Sequence, residues 1–373
     1  MRPFFDSDIV VNFTLSEEAV QNEKKIIESN RRVLRECQKE KLISEGKKNW
    51  DKFYHHYKTN FFKDRKWIRI EFDHIFRGET SISEEHTGEG AAQVGCTKEK
   101  KLVLEIGCGV GNTLIPLLMQ YEHLNCVGVD FSKNAINLLN EKWSRVISLN
   151  EQLKGAAGEE AGEEAGEEAG EEAVEEANNG VGNEAGEDAN KGGGEEASNG
   201  VCNEDNSEGE DGSSDIFELK RYRKMGNLIK TCVVDMTAPE GAYTQVCDAG
   251  TVDIVLLIYV LSSVQPEKMK NVIYHSYRYL KRGGYVLLRD YGLYDLAQVR
   301  FANKKEKKIS ENFYVRGDKT FVYFFKTEEL RSLFCENGFF EEVQNGYITR
   351  IVKNRKRNLE MKRIWVQSIF RKR

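Results

Sequence analysis

No run of about 18 consecutive apolar residues occurs in this 373-residue chain, so no membrane-spanning helix and no membrane partner are expected. Met1 to Val20 lacks the basic flank and apolar core of a secretory signal, which points to the cytosol, with the nucleus as the other compartment. The 8 cysteines are scattered, Cys96 and Cys108 being the closest pair, and none forms C-x-x-C. That spacing argues against zinc ribbons and disulfide frameworks, and no metal is expected. A catalytic His or Cys constellation is also missing, and no Walker lysine follows the chain's glycine turn, which disfavours a P-loop.

What is present centres on Lys101 to Asp130, KLVLEIGCGVGNTLIPLLMQYEHLNCVGVD. Leu102, Val103, Leu104 and Ile106 read as a buried parallel strand that breaks at Gly107, and Asn112 to Met119 reads as a helix leaving the turn. A second apolar strand, Cys126 to Val129, ends in Asp130. This is the layout of a nucleotide site: glycines admit the ligand, a helix N-terminus offers free N–H groups, and an acid at the next strand end accepts ribose hydroxyls. Gly107, Gly109 and Gly111 stand as G-x-G-x-G rather than the dinucleotide G-x-G-x-x-G. The pattern resembles motif I of the class I S-adenosylmethionine-dependent methyltransferases, with a Gly-rich turn of another α/β fold as the alternative.

Charge divides the chain. Residues 151 to 214 hold 21 Asp and Glu against 2 Lys and Arg, including the repeat GEEAGEEAGEEAGEEA, whereas the remainder holds 53 basic against 40 acidic residues. A segment so poor in large apolar side chains cannot offset its ordering entropy, and 151–214 is expected to be a disordered acidic insert. The basic remainder favours a polyanionic partner.

Around the insert, strand and helix alternate. Ser132 caps a helix bearing Ala135, Leu138, Leu139, Trp143 and Val146, and Thr231 to Val234 is a strand ending in Asp235 and Met236. Val252 to Val260 is a nearly all-apolar strand, Glu267 to Leu280 a helix, and Tyr285 to Leu288 a fifth strand running into Arg289, Asp290, Tyr291 and Asp295. The alternation predicts a doubly wound α/β fold with the site at the carboxyl edge of its sheet. Strands near Gln344 to Val352 and Arg363 to Phe370 close it. Ahead of this core, 1–78 forms an N-terminal extension with an amphipathic helix over Ser16 to Ile43 and an aromatic, basic stretch over Asn49 to Phe72, and 79–100 is a linker. The methyltransferase-like core then occupies 101–150 and 215–373, the latter carrying a basic hairpin within 300–325, with strands at Phe313 to Arg316 and Phe321 to Phe325.

The runs NWDKFY, TNFFKDRKW, LEIGCGVGN, VDFS, VDIVLLIYVLSSVQPEKM, LLRDYGLYD, ENFYVRGDKTFVYFF and WVQSIF resemble the methyltransferase-like family that forms N3-methylcytidine in the anticodon loop of tRNA. RGD in the hairpin and the FTLSEEA stretch resemble its threonine-tRNA branch more than its serine-tRNA branch. The resemblance implies a class I fold with a mostly parallel seven-stranded sheet, S-adenosyl-L-methionine as cofactor, and a tRNA anticodon stem-loop as partner. It implies cytidine 32 as target, in tRNA-Thr foremost with tRNA-Arg or tRNA-Ser as further substrates, and an aminoacyl-tRNA synthetase or accessory subunit as a helper. Trp50 and Tyr54 would cover the cofactor, Gly107 contact its amino-acid end, Asp130 its ribose, Asp235 and Met236 its adenine, and Ile258 the wall beside it. Cytosine N3 has a free lone pair, so no general base is obligatory; Asp290, Asp295, Arg65 and Tyr291 are the candidate catalytic groups. Phe61, Arg289, Arg300, Phe313 and Arg316 are the candidate RNA contacts. A protein or small-molecule methyltransferase, or a non-catalytic RNA-binding adaptor, are the alternatives.

Overall fold

The computed structural model describes residues 9–11, 16–77, 99–164, 219, 222–239, 241, 245–354 and 359–373. The chain opens with a short strand β1 (Ile9–Val11) and five helices: α1 (Glu17–Ser29), α2 (Glu36–Ser44), α3 (Gly46–Tyr57), α4 (Ile68–Glu71) and α5 (Asp73–Arg77). Then come β2 (Lys101–Ile106), α6 (Leu114–Gln120), β3 (Leu124–Asp130), α7 (Lys133–Glu164), β4 (Asn227–Val233), β5 (Val252–Ile258), α8 (Pro266–Tyr279) and β6 (Leu280–Tyr291). The last part holds α9 (Leu296–Ala302), β7 (Lys308–Ser310), β8 (Phe313–Val315), β9 (Phe321–Tyr323), α10 (Thr327–Cys335), β10 (Phe340–Asn354) and β11 (Leu359–Lys372).

The main sheet runs β1-β10-β11-β6-β5-β2-β3-β4. Strands β2 to β6 are parallel, while β11 pairs antiparallel with both β6 and β10. Chain order reverses between β2 and β5, which opens a crevice at their carboxyl ends. Alternate residues of each central strand serve opposite cores: Leu104, Ile106, Val127 and Val255 pack on one face, and Val103, Cys126, Ile254 and Leu256 on the other. Both faces are buried, and this is why these strands read as continuous apolar runs. This is the class I S-adenosylmethionine-dependent methyltransferase fold, its seven strands extended at one edge by β1, which pairs antiparallel with β10.

Three expectations change. The helix expected over Ser16 to Ile43 is two helices, because the chain between them is drawn to β7. Leu34 N donates to Lys308 O at 2.9 Å, Lys308 Nζ donates to Asn30 O at 2.9 Å, and Asn30 Oδ1 accepts from Arg32 N at 3.1 Å. The hairpin gains a third strand, since β7 pairs with β8. The acidic segment begins as a helix, because α7 runs on to Glu164; residues 165–214 and most of the 79–100 linker lie outside the described residues. Among the described residues no helix is long and apolar enough to cross a membrane, and no group of His, Cys, Asp and Glu is placed to hold a metal ion.

Candidate active site

The turn after β2 requires its glycines. Gly107, Gly109 and Gly111 have φ of +70°, +52° and +83°, the left-handed region that side chains disfavour. A Cβ on Gly107 would stand 2.1 Å from Val260 Cγ2, and one on Gly109 2.7 Å from Tyr54 Oη. Gly107 N and Cys108 N donate to Val129 O at 2.7 and 3.0 Å, tying the turn to the end of β3. There Asp130 Oδ2 accepts from Gly109 N at 3.0 Å and Oδ1 from Ser132 N at 2.9 Å. Burial pushes the Asp130 carboxyl up to about 6, against the pull of these backbone donors.

Helix α3 roofs the turn. Residues four apart lie on one helix face, so Trp50 and Tyr54 stack at 5.7 Å and face the cleft together. The helix is held by Asp51, whose Oδ1 accepts from Ser132 Oγ at 2.6 Å and whose carbonyl accepts from Asn134 Nδ2 at 2.9 Å. Between roof and sheet edge lies a cavity of about 260 Å³. Trp50, Tyr54, Gly107, Asp130, Asp235, Met236 and Ile258, the residues expected to hold the cofactor, all line it. Asp235 Oδ1 accepts from Thr237 N at 2.9 Å and Thr237 Oγ1 at 2.6 Å, which fixes this exposed carboxylate at the rim.

The candidate catalytic residues separate. Arg65 lines the cavity, its Nη1 donating to Ile258 O at 3.2 Å and Thr113 Oγ1 at 3.1 Å, with its guanidinium 5.1 Å from the Tyr259 ring. Tyr291, at the end of β6, packs 5.4 Å from Tyr259 and carries the Arg316 guanidinium at 5.3 Å. Asp290 is fully buried, its Oδ2 accepting from Ser262 N and its Oδ1 from Tyr291 N, both at 2.9 Å. Burial pushes its carboxyl up to about 7. It therefore holds the backbone after β5 and lies outside the cavity lining, a correction to the expectation that it faces the base. Asp295 is likewise fully buried: it caps α9 through Ala297 N at 2.7 Å and accepts from Arg363 Nε at 2.9 Å and Ile364 N at 2.8 Å. With both oxygens engaged, it ties α9 to β11.

The candidate RNA contacts divide in the same way. Arg289 is buried, its guanidinium 4.0 Å from the Trp67 ring and 5.4 Å from that of Trp365, and Phe313 is buried against Phe321 and Tyr323. These two are packing residues, because the strand pairing turns them inward. Phe61, Arg300 and Arg316 are half-buried, Phe61 in a ring cluster 4.7 Å from Phe53. Lys304, Lys305 and Lys319 are exposed, whereas Lys307 and Lys308 are half-buried and donate to the carbonyls of Arg316 and Asn30.

Sequence reasoning missed Tyr259, Phe321, Lys47 and Lys268 in the cavity wall. Tyr259 left a signal: it directly follows β5, where a parallel fold presents side chains to its ligand, and it is held at φ +56°. Glu105 lies outside that lining: it is fully buried in β2 beside Arg65 and Thr113, and burial pushes its carboxyl up to about 8 against their pull.

A glycine cradle that any Cβ would fill, an acid at the end of each neighbouring strand and an aromatic roof suit an adenosine bearing an amino-acid tail, so the residues present fit S-adenosylmethionine. A family model described as a methyltransferase domain matches residues 89–340. Fold and site thus define a class I S-adenosylmethionine-dependent methyltransferase. The Drosophila melanogaster protein named tRNA N(3)-methylcytidine methyltransferase Mettl2 is 32% identical over 338 residues, 90% of this chain and 74% of that one. The Homo sapiens tRNA N(3)-cytidine methyltransferase METTL6 is 30% identical over 351 residues, 94% of this chain and 88% of that one. The Saccharomyces cerevisiae tRNA(Thr) (cytosine(32)-N(3))-methyltransferase is 30% identical over 96% of this chain, which spans 42% of that longer protein. The chain belongs to the family of tRNA N3-methylcytidine methyltransferases.

Proposed function

We propose that the protein transfers a methyl group from S-adenosylmethionine to N3 of cytidine 32 in the anticodon loop of tRNA, tRNA-Thr foremost. The observation that supports this reading is the cavity itself: the residues proposed to bind the donor and Arg65 with Tyr259 line one space at the sheet's carboxyl edge. The yeast relative's name specifies tRNA(Thr) and cytosine 32. When bound, S-adenosylmethionine supplies an electrophilic sulfonium methyl group.

The chain's part is positioning. Asp130 and Asp235 hold the donor's ribose and adenine, and Trp50 and Tyr54 exclude water from above. Tyr259 offers a ring face to the everted pyrimidine, and the Arg65 guanidinium, pinned at Ile258 and Thr113, donates toward the cytosine O2 and leaves N3 free to attack. N3 loses no proton in the attack, so the transfer requires no general base. Extracting the base from the loop stack costs a few kcal/mol, which stacking on rings offsets. Lys304, Lys305, Lys319 and Arg300 give the neighbouring hairpin and α9 positive charge for the RNA backbone.

Nucleoside mass spectrometry tests the proposal. Purified protein incubated with tRNA-Thr transcript and methyl-labelled donor should produce labelled N3-methylcytidine. Label in protein or in another nucleoside would overturn it. tRNA-Arg and tRNA-Ser are proposed as further substrates, and a synthetase or accessory subunit as helper; full turnover by the isolated chain would remove the helper.

A further inference from the structure

The roof helix and the basic hairpin are far apart in sequence but meet at one hydrogen bond. Asn49 on α3 is 3% exposed, and its Nδ2 donates to the carbonyl of Lys319 at 3.3 Å. Asn49 sits immediately before Trp50, which stacks on Tyr54 above the glycine turn. Lys319 sits in the turn joining β8 to β9, held at φ +68° by a tight local network. Arg316 N donates to Thr320 O at 2.8 Å, and Asp318 Oδ1 accepts from Thr320 N at 2.9 Å and Thr320 Oγ1 at 2.6 Å. The same turn carries Arg316 over the Tyr291 ring and leads into Phe321, which lines the same cavity as Trp50 and Tyr54.

We infer that Asn49 is a positioning residue that couples donor binding to RNA binding, by latching the roof of the cofactor site to the hairpin turn that carries Arg316. The inference rests on the reading of the cleft as a methyl-donor site and of the hairpin as an RNA surface. A donor that draws Trp50 and Tyr54 onto the glycine turn fixes α3. Through the Asn49 bond it also fixes the Lys319 carbonyl, and with it the turn that sets Arg316 and Phe321. Each ligand then meets a partner surface whose ordering the other has already met, and the coupling acts equally in both directions. The bond suits such a latch because its donor is buried while Lys319 lies at the surface, so breaking it removes a link without opening the core.

The test compares wild type with Asn49→Ala and Asn49→Leu, which fills the site but cannot donate to the Lys319 carbonyl. Dissociation constants for full-length tRNA-Thr transcript are measured by fluorescence anisotropy with and without saturating S-adenosylhomocysteine, a donor analogue that cannot react. Wild type should bind tRNA about fivefold or more tighter with the analogue, the usual size of coupling between linked sites. In both variants that factor should fall below about twofold, while calorimetric affinity for the analogue alone and the thermal midpoint without ligands stay close to wild type. Coupling that survives in both variants, or wild type that binds both ligands independently, overturns the inference. Wild type that binds neither ligand overturns the reading beneath it and the inference together.

Discussion

Arg65 bonds the Ile258 carbonyl at 3.2 Å, so a side chain from the N-terminal extension closes the end of the central strand β5. The same Nη1 reaches Thr113, just beyond the glycine turn, so one nitrogen of the planar guanidinium bridges both acceptors and fixes its plane. Arg65→Lys replaces the fork with a point charge and should lower kcat about tenfold or more, with analogue affinity changed less than about threefold. Steady-state kinetics on tRNA-Thr transcript checks this; an unaltered kcat refutes the assignment.

Asp130→Ala removes the acceptor proposed for the ribose together with the partner of Gly109 N and Ser132 N. Affinity for S-adenosylhomocysteine should fall about tenfold or more, equivalent to about 1.4 kcal/mol. Because the wild-type carboxyl titrates near 6, the charged acceptor is lost as pH falls through that value. Wild-type affinity should therefore weaken from pH 7 to 5, and calorimetry on the variant should find a flatter profile.

Glu105 gives a stability prediction with a definite sign. Its folded value of about 8 lies above its ordinary 4.5, so the folded state holds a proton that the unfolded chain has released. That contribution is fully present below about 4.5 and is lost as pH rises through about 8. Glu105→Gln mimics the neutral form and should unfold with a shallower pH dependence between pH 5 and 8. Equal slopes in urea titrations of the two proteins would show that Glu105 is ionised in the fold.

Asp290→Ala leaves Ser262 N and Tyr291 N without their acceptor in a buried setting. The expected cost is about 1–3 kcal/mol of stability. The backbone after β5 that carries Tyr259 and Ser262 loses its anchor, so turnover should be lost while analogue binding persists. Full activity in the folded variant would deny the residue its positioning role.

Lys304→Glu with Lys305→Glu reverses two exposed charges beside the hairpin. tRNA affinity should drop, and the slope of log affinity against log salt should shrink by about two, one for each lost phosphate contact. Lys307 and Lys308 are poorer targets because their ammonium groups already serve backbone carbonyls.

Much of the proposed donor site was legible in the chain. The glycine spacing and Asp130 and Asp235 at strand ends are set by short-range geometry, while the placing of Trp50 and Tyr54 over the cofactor came from the family resemblance; Gly107, Gly109, both acids and both rings line the cavity. The apolar runs of β2, β3 and β5 announced strands covered on both faces. Other features were hidden because they depend on contacts between distant segments. Asp290 and Asp295 read alike at the end of one strand, yet one binds the backbone after β5 and the other caps α9 and holds Arg363. Arg289 and Phe313 looked available to RNA until pairing in β6 and β8 turned them into packed interior.

Local sequence periodicity and turn chemistry were sufficient to specify a parallel α/β sheet with a nucleoside cleft at its carboxyl edge, because each strand, glycine turn and terminal acid depends on residues only a few positions apart. The tertiary structure alone decided which carboxylates are spent inside the fold, where the N-terminal helix breaks, and that Asn49 meets Lys319. Those outcomes turn on burial and hydrogen bonds across up to 278 residues of chain, and no pattern within one segment encodes a partner that only folding brings near.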